Sequence, residues 1–384
     1  MFKKMPFILF AVIALSVLFE RYIPVVALSV FYAISLSIKS VIIFLLPAVI
    51  FMLLFKTVTQ LSSRATKLIF ILLGAVCLSN FVSTLISYGV GSGIGHLNLA
   101  MTLPKELSAL LPMWTFTLPK WIRNDYAMFS GLFLGVVFSF ARPMLAEKIG
   151  KVFDSWITTL LRLILAMIPL FIAGFMMKLV HDKVIQNIIF DYAPIFALVA
   201  AAQFGYVFFL YLIANKFSFS SFATSLKNMF PAAVAGFGSM SSAAALPLTL
   251  IGAEKNTNQS PLTKLVIPTT VNIHLIGDCL AIPIFALAIM KSFGMADPTF
   301  INYLVFAFYF VLAKFSVAAI PGGGIIVMLP ILESQFGFTA EMSSLITAFY
   351  ILFDPIITTA NIAGNGAFAM LLQFLGKSTK IKNS

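Results

Sequence analysis

The sequence is poor in charge, in histidine and in cysteine. Only 10% of its 384 residues are Asp, Glu, Lys or Arg, and it has 3 histidines and 2 cysteines. So little charge cannot cover the surface of a water-soluble globular protein of this size. The cysteines, Cys77 and Cys279, lie inside apolar stretches and are too few for a disulfide framework or a multi-cysteine metal site. We therefore predict no resident metal or other cofactor.

Apolar residues are abundant instead, at 61% of the chain. A stretch of about 20 largely apolar residues can span a bilayer as a helix. The first such run is followed by Glu20 and Arg21 and lacks a small-residue cleavage site, so we expect a transmembrane helix there and no cleaved signal peptide. Similar runs recur and predict a multi-pass helical membrane protein: Met5–Phe19, Val41–Leu54, Leu68–Ile86, Met128–Phe140, Leu160–Met177 and Val184–Ile213.

The net charge of +12 does not indicate nucleic-acid binding, because the basic residues are scattered between the hydrophobic segments. Lysines near both ends, such as Lys3, Lys4, Lys377 and Lys380, fit the excess of positive charge on the cytoplasmic side of membrane proteins. We expect the cell (inner) membrane, with both termini cytoplasmic.

The character of the sequence changes near residue 151. Residues 1–151 have few polar positions inside their hydrophobic runs, although prolines make the segment from Leu103 to Phe140 irregular. In residues 152–384, clusters of Gly, Pro, Ser and Asn interrupt the runs, and such backbone is tolerated at membrane depth only where it is buried in protein or lines a cavity. The predicted interruptions are Gly236–Pro247, Pro268–Asp278, Pro321–Gly324 and Asp354–Gly366.

Two of the interruptions predict re-entrant helical hairpins. One covers about 228–252 with the serine-rich tip Ser239–Ser242, and the other covers about 300–334 with the tip Pro321–Gly324. Paired interrupted segments indicate a binding site near the membrane midplane, since half-helix termini and freed carbonyls supply ligands there.

Three motifs carry a family resemblance: Gly236–Thr249, Ala319–Gly324 and Asp354–Asn365. They resemble the two hairpins and the last helix of the dicarboxylate/amino acid:cation symporters, the glutamate transporter homologues. The resemblance implies eight transmembrane helices, two re-entrant hairpins and a homotrimer. It also implies an elevator mechanism, in which residues 1–151 are mainly scaffold and residues 152–384 contain the remaining scaffold helix and the transport domain.

The resemblance implies a substrate site between the hairpin tips and the last two helices. Asp354 matches the acid that binds the substrate's amino group, with a simple helix cap before Pro355 as the alternative. Ile357 and Met240 stand where family members have arginine, and no arginine follows Arg162, so a second carboxylate on the substrate lacks a guanidinium partner. The implied substrate-binding residues are Ser241, Ser242, Gly322, Gly323, Asp354, Thr358 and Asn361.

The positions that bind the coupling ion depart further from the family. Ile276 and Asn365 replace two acidic sodium ligands, which weakens sodium binding. Lys314 falls at the position where, in the family that the sequence resembles, backbone carbonyls coordinate a sodium. Its ammonium could stand in for that cation and release a proton, or simply snorkel to the interface.

Two further titratable residues complete the predicted coupling-ion group, which is His274, Asp278, Lys314 and Asn365. His274 and Asp278 are one helical turn apart by spacing, but a break at Gly277 leaves open whether they face each other. His274 could equally make an ordinary interhelical hydrogen bond.

These features predict a secondary active transporter, a symporter or exchanger for an amino acid or related small carboxylate, coupled to protons rather than sodium. Its expected partners are a small-molecule substrate, the lipid bilayer and two further copies of the chain. The alternatives are a sodium-coupled symporter of dicarboxylates or acidic amino acids, an ion channel, and a membrane-embedded enzyme using His274, Asp278 and Asp354.

Overall fold

The computed structural model describes residues 22–62, 66–94, 110–119, 121–122, 124–182, 192–317 and 322–381, with a few isolated positions before residue 22. These residues are predominantly helical and contain no strand, which confirms the all-α class. The helices are α1 (Val25–Ser62), α2 (Thr66–Gly93), α3 (Asn124–Ala141), α4 (Pro143–His181), α5 (Ala193–Ala214), α6 (Phe219–Ser239), α7 (Ser242–Asn256), α8 (Pro261–Thr270), α9 (Ile276–Ser292), α10 (Phe300–Lys314), α11 (Gly323–Phe336) and α12 (Ala340–Ile381).

Several helices have the composition of membrane spans. Within the described part of the chain, Ile71–Gly93, Ala193–Ala214 and Glu341–Phe374 are both long and apolar enough to cross a bilayer. Shorter apolar helices include Phe300–Lys314 and Gly323–Phe336. The helices therefore fit a multi-pass membrane protein, while the number of eight spans stays a prediction.

Helices α1, α3 and α4 pack closely through small residues. A Cβ added at Gly131 of α3 would lie 2.8 Å from the carbonyl oxygen of Phe51 in α1. On the other side, Ser35 of α1 donates to the carbonyl of Phe171 in α4 at 2.8 Å. Small residues at helix crossings let backbones approach, which drives association where no hydrophobic effect operates.

Residues 110–119 are not helical and lie along α1. The indole of Trp114 donates to Ser37 Oγ at 3.1 Å, and the amide of Leu118 donates to Ser40 Oγ at 2.7 Å. Irregular backbone was expected between Leu103 and Phe140; the part before residue 110 lies outside the described residues, and α3 is a regular helix.

The first predicted hairpin consists of α6 and α7. Met240 ends α6 with a left-handed backbone conformation (φ 49°, ψ 31°). The Ser241 hydroxyl then accepts from the amide of Ala244 at 3.3 Å and caps α7. The arms lie side by side, since Asn228 Nδ2 donates to Asn256 Oδ1 at 2.8 Å.

The second predicted hairpin consists of α10 and α11. Its arms pack through the rings of Phe306 and Phe336, whose centroids are 4.3 Å apart. Gly322 precedes α11 with φ 73°, a conformation that favours glycine. Of the predicted tip, Pro321 lies outside the described residues, whereas Gly322 is the N-cap of α11 and Gly323 and Gly324 begin the helix.

Two predicted interruptions differ from the structure. The break in the Pro268–Asp278 region covers residues 271–275, so Gly277 is not the break point and belongs to the first turn of α9. The predicted interruption at Asp354–Gly366 is wrong, because α12 continues through Pro355. A proline removes one backbone hydrogen bond, and a membrane helix tolerates this when neighbouring groups compensate.

Candidate functional site

A cavity lies where the broken helix, both hairpins and α12 meet. Its empty volume is about 320 Å³, part of which is open to solvent. The break at 271–275 and the turns of both hairpins lie next to one another beside α12, so each of these elements contributes residues to the wall. The lining residues are Met240, Ser242, Val271, Asn272, Leu275, Asp278, Val317, Gly324, Tyr350, Asp354, Thr358 and Asn361.

Asp354 is a buried carboxylate on the α12 side of the cavity. Its Oδ2 accepts from the amide of Gly322 at 3.0 Å, and its Oδ1 accepts from the Thr358 hydroxyl at 3.0 Å. Among the residues that the structure describes, no cation pairs with it. Since Asp354 lies within a continuous helix, the reading as a cap of a broken helix is wrong.

Asp278 is the second carboxylate of the cavity and is paired. Its Oδ2 lies 2.9 Å from Lys314 Nζ, while its Oδ1 accepts from the Tyr350 hydroxyl at 3.1 Å and from Asn361 Nδ2 at 3.3 Å. The Lys314 ammonium also lies 4.5 Å from the ring centroid of Phe310. Lys314 is fully buried, so the reading as a snorkelling lysine is wrong.

Asn361 holds the start of α9 in place beside the cavity. Its Oδ1 accepts from the amides of Gly277 at 2.8 Å and Asp278 at 3.4 Å, two of the backbone donors that a helix start leaves free. The Gly277 carbonyl in turn accepts from Gln203 Nε2 at 2.8 Å. The broken helix is therefore anchored on two sides by amide side chains.

His274 faces away from Asp278. Its Nε2 is 2.8 Å from Ser79 Oγ of α2, and its ring stacks on Phe368 with centroids 4.2 Å apart. Its Nδ1 is buried with no hydrogen-bond partner in the described parts of the chain. The two titratable residues therefore contact different elements and do not form a pair.

Asn365 ties together the end of α8, the break and α12. Its Oδ1 accepts from the Thr270 hydroxyl at 2.8 Å, and its Nδ2 donates to the carbonyls of His274 at 3.2 Å and Asn361 at 3.0 Å. At this predicted coupling position, the amide side chain makes hydrogen bonds to three neighbours.

The hairpin residues predicted to bind substrate divide into two groups. Ser242 lines the cavity, and Gly322 contributes the amide that binds Asp354. Ser241 caps α7, and Gly323 is buried at the start of α11, so neither lines the cavity in this arrangement.

Sequence reasoning missed Tyr350, Asn272 and Gly324. A signal for Tyr350 was present, because it precedes Asp354 by four residues and therefore shares its helix face. Ile357, expected opposite the substrate side chain, is fully buried and is not part of the cavity wall; its carbonyl packs against Gly277.

Within the described residues, no cluster of three or more His, Cys, Asp or Glu side chains could hold a metal ion. The lining of the cavity combines the Asp354 carboxylate, which has no cationic partner among the described residues, with hydroxyls, amides and the apolar side chains of Met240, Val271, Leu275 and Val317.

The sequence matches the sodium:dicarboxylate symporter family over residues 5–374. It is also similar to an excitatory amino acid transporter of Onchocerca volvulus, with 27% identity over 173 residues, covering 45% of this chain and 34% of the relative. Excitatory amino acid transporter 2 of Homo sapiens is 30% identical over 171 residues, covering 44% and 28% respectively. The matched segment thus spans about a third of the length of these relatives.

Proposed function

Since the chain belongs to the sodium:dicarboxylate symporter family, we propose that it is a secondary active transporter of an amino acid or a related small carboxylate. The observation that carries this proposal is Asp354, a buried carboxylate that faces the cavity without a cationic partner among the described residues. A substrate ammonium group would supply that partner, because buried charges are normally paired.

The lining of the cavity favours a neutral amino acid over a dicarboxylate. Met240, Val271 and Val317 offer apolar contacts for a side chain, and the one described ammonium nearby, on Lys314, is already paired with Asp278. A second substrate carboxylate would be desolvated without a partner, which costs several kcal/mol. A sodium-coupled carrier of dicarboxylates or acidic amino acids, as the family's description suggests, is the alternative.

Coupling to protons rather than sodium is supported by the lack of unpaired negative charge at the positions where the family has acidic sodium ligands. The Ile276 side chain has no oxygen, Asn365 uses its side-chain amide for internal hydrogen bonds, and Asp278 is neutralised by Lys314. Sodium requires several hard oxygen ligands, and an adjacent ammonium repels it. Within the described part of the chain, Asp354 has no cationic partner and His274 Nδ1 has no hydrogen-bond partner, so we propose these two groups as proton carriers.

The larger arrangement is also part of the proposal. We place eight transmembrane helices and two re-entrant hairpins in a homotrimer, with residues 1–151 mainly scaffold and residues 152–384 containing the remaining scaffold helix and the moving transport domain. The close packing of α1, α3 and α4 supports a rigid scaffold. The protein would lie in the cell (inner) membrane with both termini cytoplasmic.

Counterflow tests the transport proposal. Liposomes containing the purified protein are loaded with an unlabelled neutral amino acid and diluted into a trace of the same labelled compound. A carrier exchanges the two, so the label should accumulate transiently inside. Large ohmic currents would instead indicate a channel, chemical conversion of the solute would indicate an enzyme, and either result would contradict the proposal.

A further inference from the structure

Both arms of the second hairpin meet at one carboxylate on the broken helix. Lys314, the last residue of α10, donates to Oδ2 of Asp278 at 2.9 Å. Gly324, in the first turn of α11, is so close that a Cβ added there would lie 2.5 Å from the same oxygen. The carboxylate therefore lies between the end of one arm and the start of the other.

The pair is also shielded from solvent. Lys314 is 0% exposed and Asp278 is 1% exposed. A buried charge whose partner is removed is strongly unfavourable, because neither water nor another ion compensates it. The arms of the hairpin consequently resist moving away from α9 as long as the ammonium and the carboxylate face each other.

The position of the pair relates it to the cavity. Asp278 lines the cavity, whereas Lys314 lies behind it and does not contribute to the wall. The Tyr350 hydroxyl, on α12, donates to the other oxygen of the same carboxylate at 3.1 Å. A single buried charge pair thus connects the hairpin, the broken helix and α12 directly beside the space that a ligand would fill.

We propose that the Lys314 ammonium is a built-in cation that fastens the second hairpin closed beside the cavity, so that closure requires no cation from solution. The proposal depends on the proposed function only in taking the cavity as the place where a ligand enters. Opening the hairpin then requires separating Lys314 from Asp278. A carrier built in this way would close equally well in sodium and in choline.

Hydrogen–deuterium exchange of the purified protein, measured without substrate, tests the proposal. The backbone amides of α10 and α11 are followed in sodium chloride and in choline chloride, for the wild type and for Lys314→Met, which keeps an unbranched apolar side chain but removes the charge. Lys291→Met is the matched control, because Lys291 is also largely buried and bonds to the carbonyls of Gly91 and Ser92 away from the cavity.

The wild type and the control should show the same protection in both salts. Lys314→Met should exchange about tenfold faster or more in α10 and α11 in choline, and sodium should slow it by neutralising Asp278. The proposal is overturned if sodium increases the protection of the wild-type hairpin, a result that does not depend on the variant folding. It is equally overturned if Lys314→Met keeps wild-type protection in choline. Because no substrate is present, failure here is distinguishable from failure of the counterflow experiment.

Discussion

The carboxylate of Asp354 accepts a hydrogen bond from the backbone amide of Gly322 at 3.0 Å. This contact links α12 to the start of α11, so the residue proposed to bind the substrate also contacts the second hairpin. A ligand that pairs with the Asp354 carboxylate would therefore act directly on the group that the second hairpin contacts.

The first prediction concerns the charge of Asp354. Asp354→Asn preserves an oxygen for the Gly322 amide but removes the negative charge that would face a substrate ammonium. We expect affinity for amino acids to fall about tenfold to a hundredfold, the range of a lost charge-assisted hydrogen bond. Calorimetric titration measures this, with Asp297→Asn as a control, since Asp297 is partly exposed and pairs with Lys291. If Asp354→Asn binds amino acids with unchanged affinity, Asp354 does not pair with the substrate ammonium group.

A second prediction concerns Met240, which lines the cavity at the turn of the first hairpin. Met240→Arg should let aspartate and glutamate bind at least about tenfold more tightly, because a guanidinium can pair with a second carboxylate in bidentate geometry. Met240→Gln, polar but uncharged, should not. The affinities are measured by competition against a labelled neutral amino acid. If Met240→Arg binds neutral substrates but its affinity for aspartate does not rise, the turn does not face the substrate side chain.

The third prediction tests the packing of the broken helix on α12. A Cβ at Gly277 would lie 2.5 Å from the carbonyl oxygen of Ile357 and 2.9 Å from Asn361 Oδ1. Gly277→Ala should therefore destabilise the protein by roughly 1–3 kcal/mol, as overpacked substitutions do. At Gly205 an added Cβ would meet no described atom within 4 Å outside the nearby backbone of its own helix, so Gly205→Ala should leave the thermal midpoint in detergent unchanged or slightly higher. Equal midpoints for both variants would contradict the close contact.

The fourth prediction concerns Asn80 on α2, which satisfies two backbone groups of the break. Its Nδ2 donates to the Ile273 carbonyl at 2.7 Å, and its Oδ1 accepts from the Leu275 amide at 3.2 Å. Asn80→Leu leaves both groups unpaired, so stability should fall by roughly 1–3 kcal/mol and substrate affinity should fall with it.

Ser83→Ala is the matched control, because the Ser83 hydroxyl donates to carbonyls of its own helix and not to the backbone of the break. Thermal unfolding combined with substrate titration measures both effects. If Asn80→Leu loses stability but binds substrate normally, the break would not shape the cavity.

The sequence predicted part of this site through local spacing. Asp354, Thr358 and Asn361 recur at helical intervals, so their shared face follows from the helix repeat alone. The same interval places Tyr350 one turn earlier. The serine-rich turn at Ser239–Ser242 was likewise predictable, because its residues favour a helix cap and not a helix interior.

The rest depends on partners that are distant in sequence. The break lies at 271–275 and not at Gly277, because Asn80 and Asn361 supply bonds to the backbone on either side. The pairing of Asp278 with Lys314, 36 residues away, follows from the packing of the second hairpin on α9, which no local pattern records. His274 and Asp278 have helical spacing, but the break between them turns them toward different neighbours.

Uptake into proteoliposomes tests the central claim, that this chain is a carrier driven by protons and not by sodium. A labelled neutral amino acid is offered to vesicles in choline, with and without an imposed pH gradient, and then in sodium. The account predicts accumulation in choline that rises when the outside is more acidic, with no further gain from a sodium gradient. Uptake that disappears without sodium and ignores the pH gradient would contradict it.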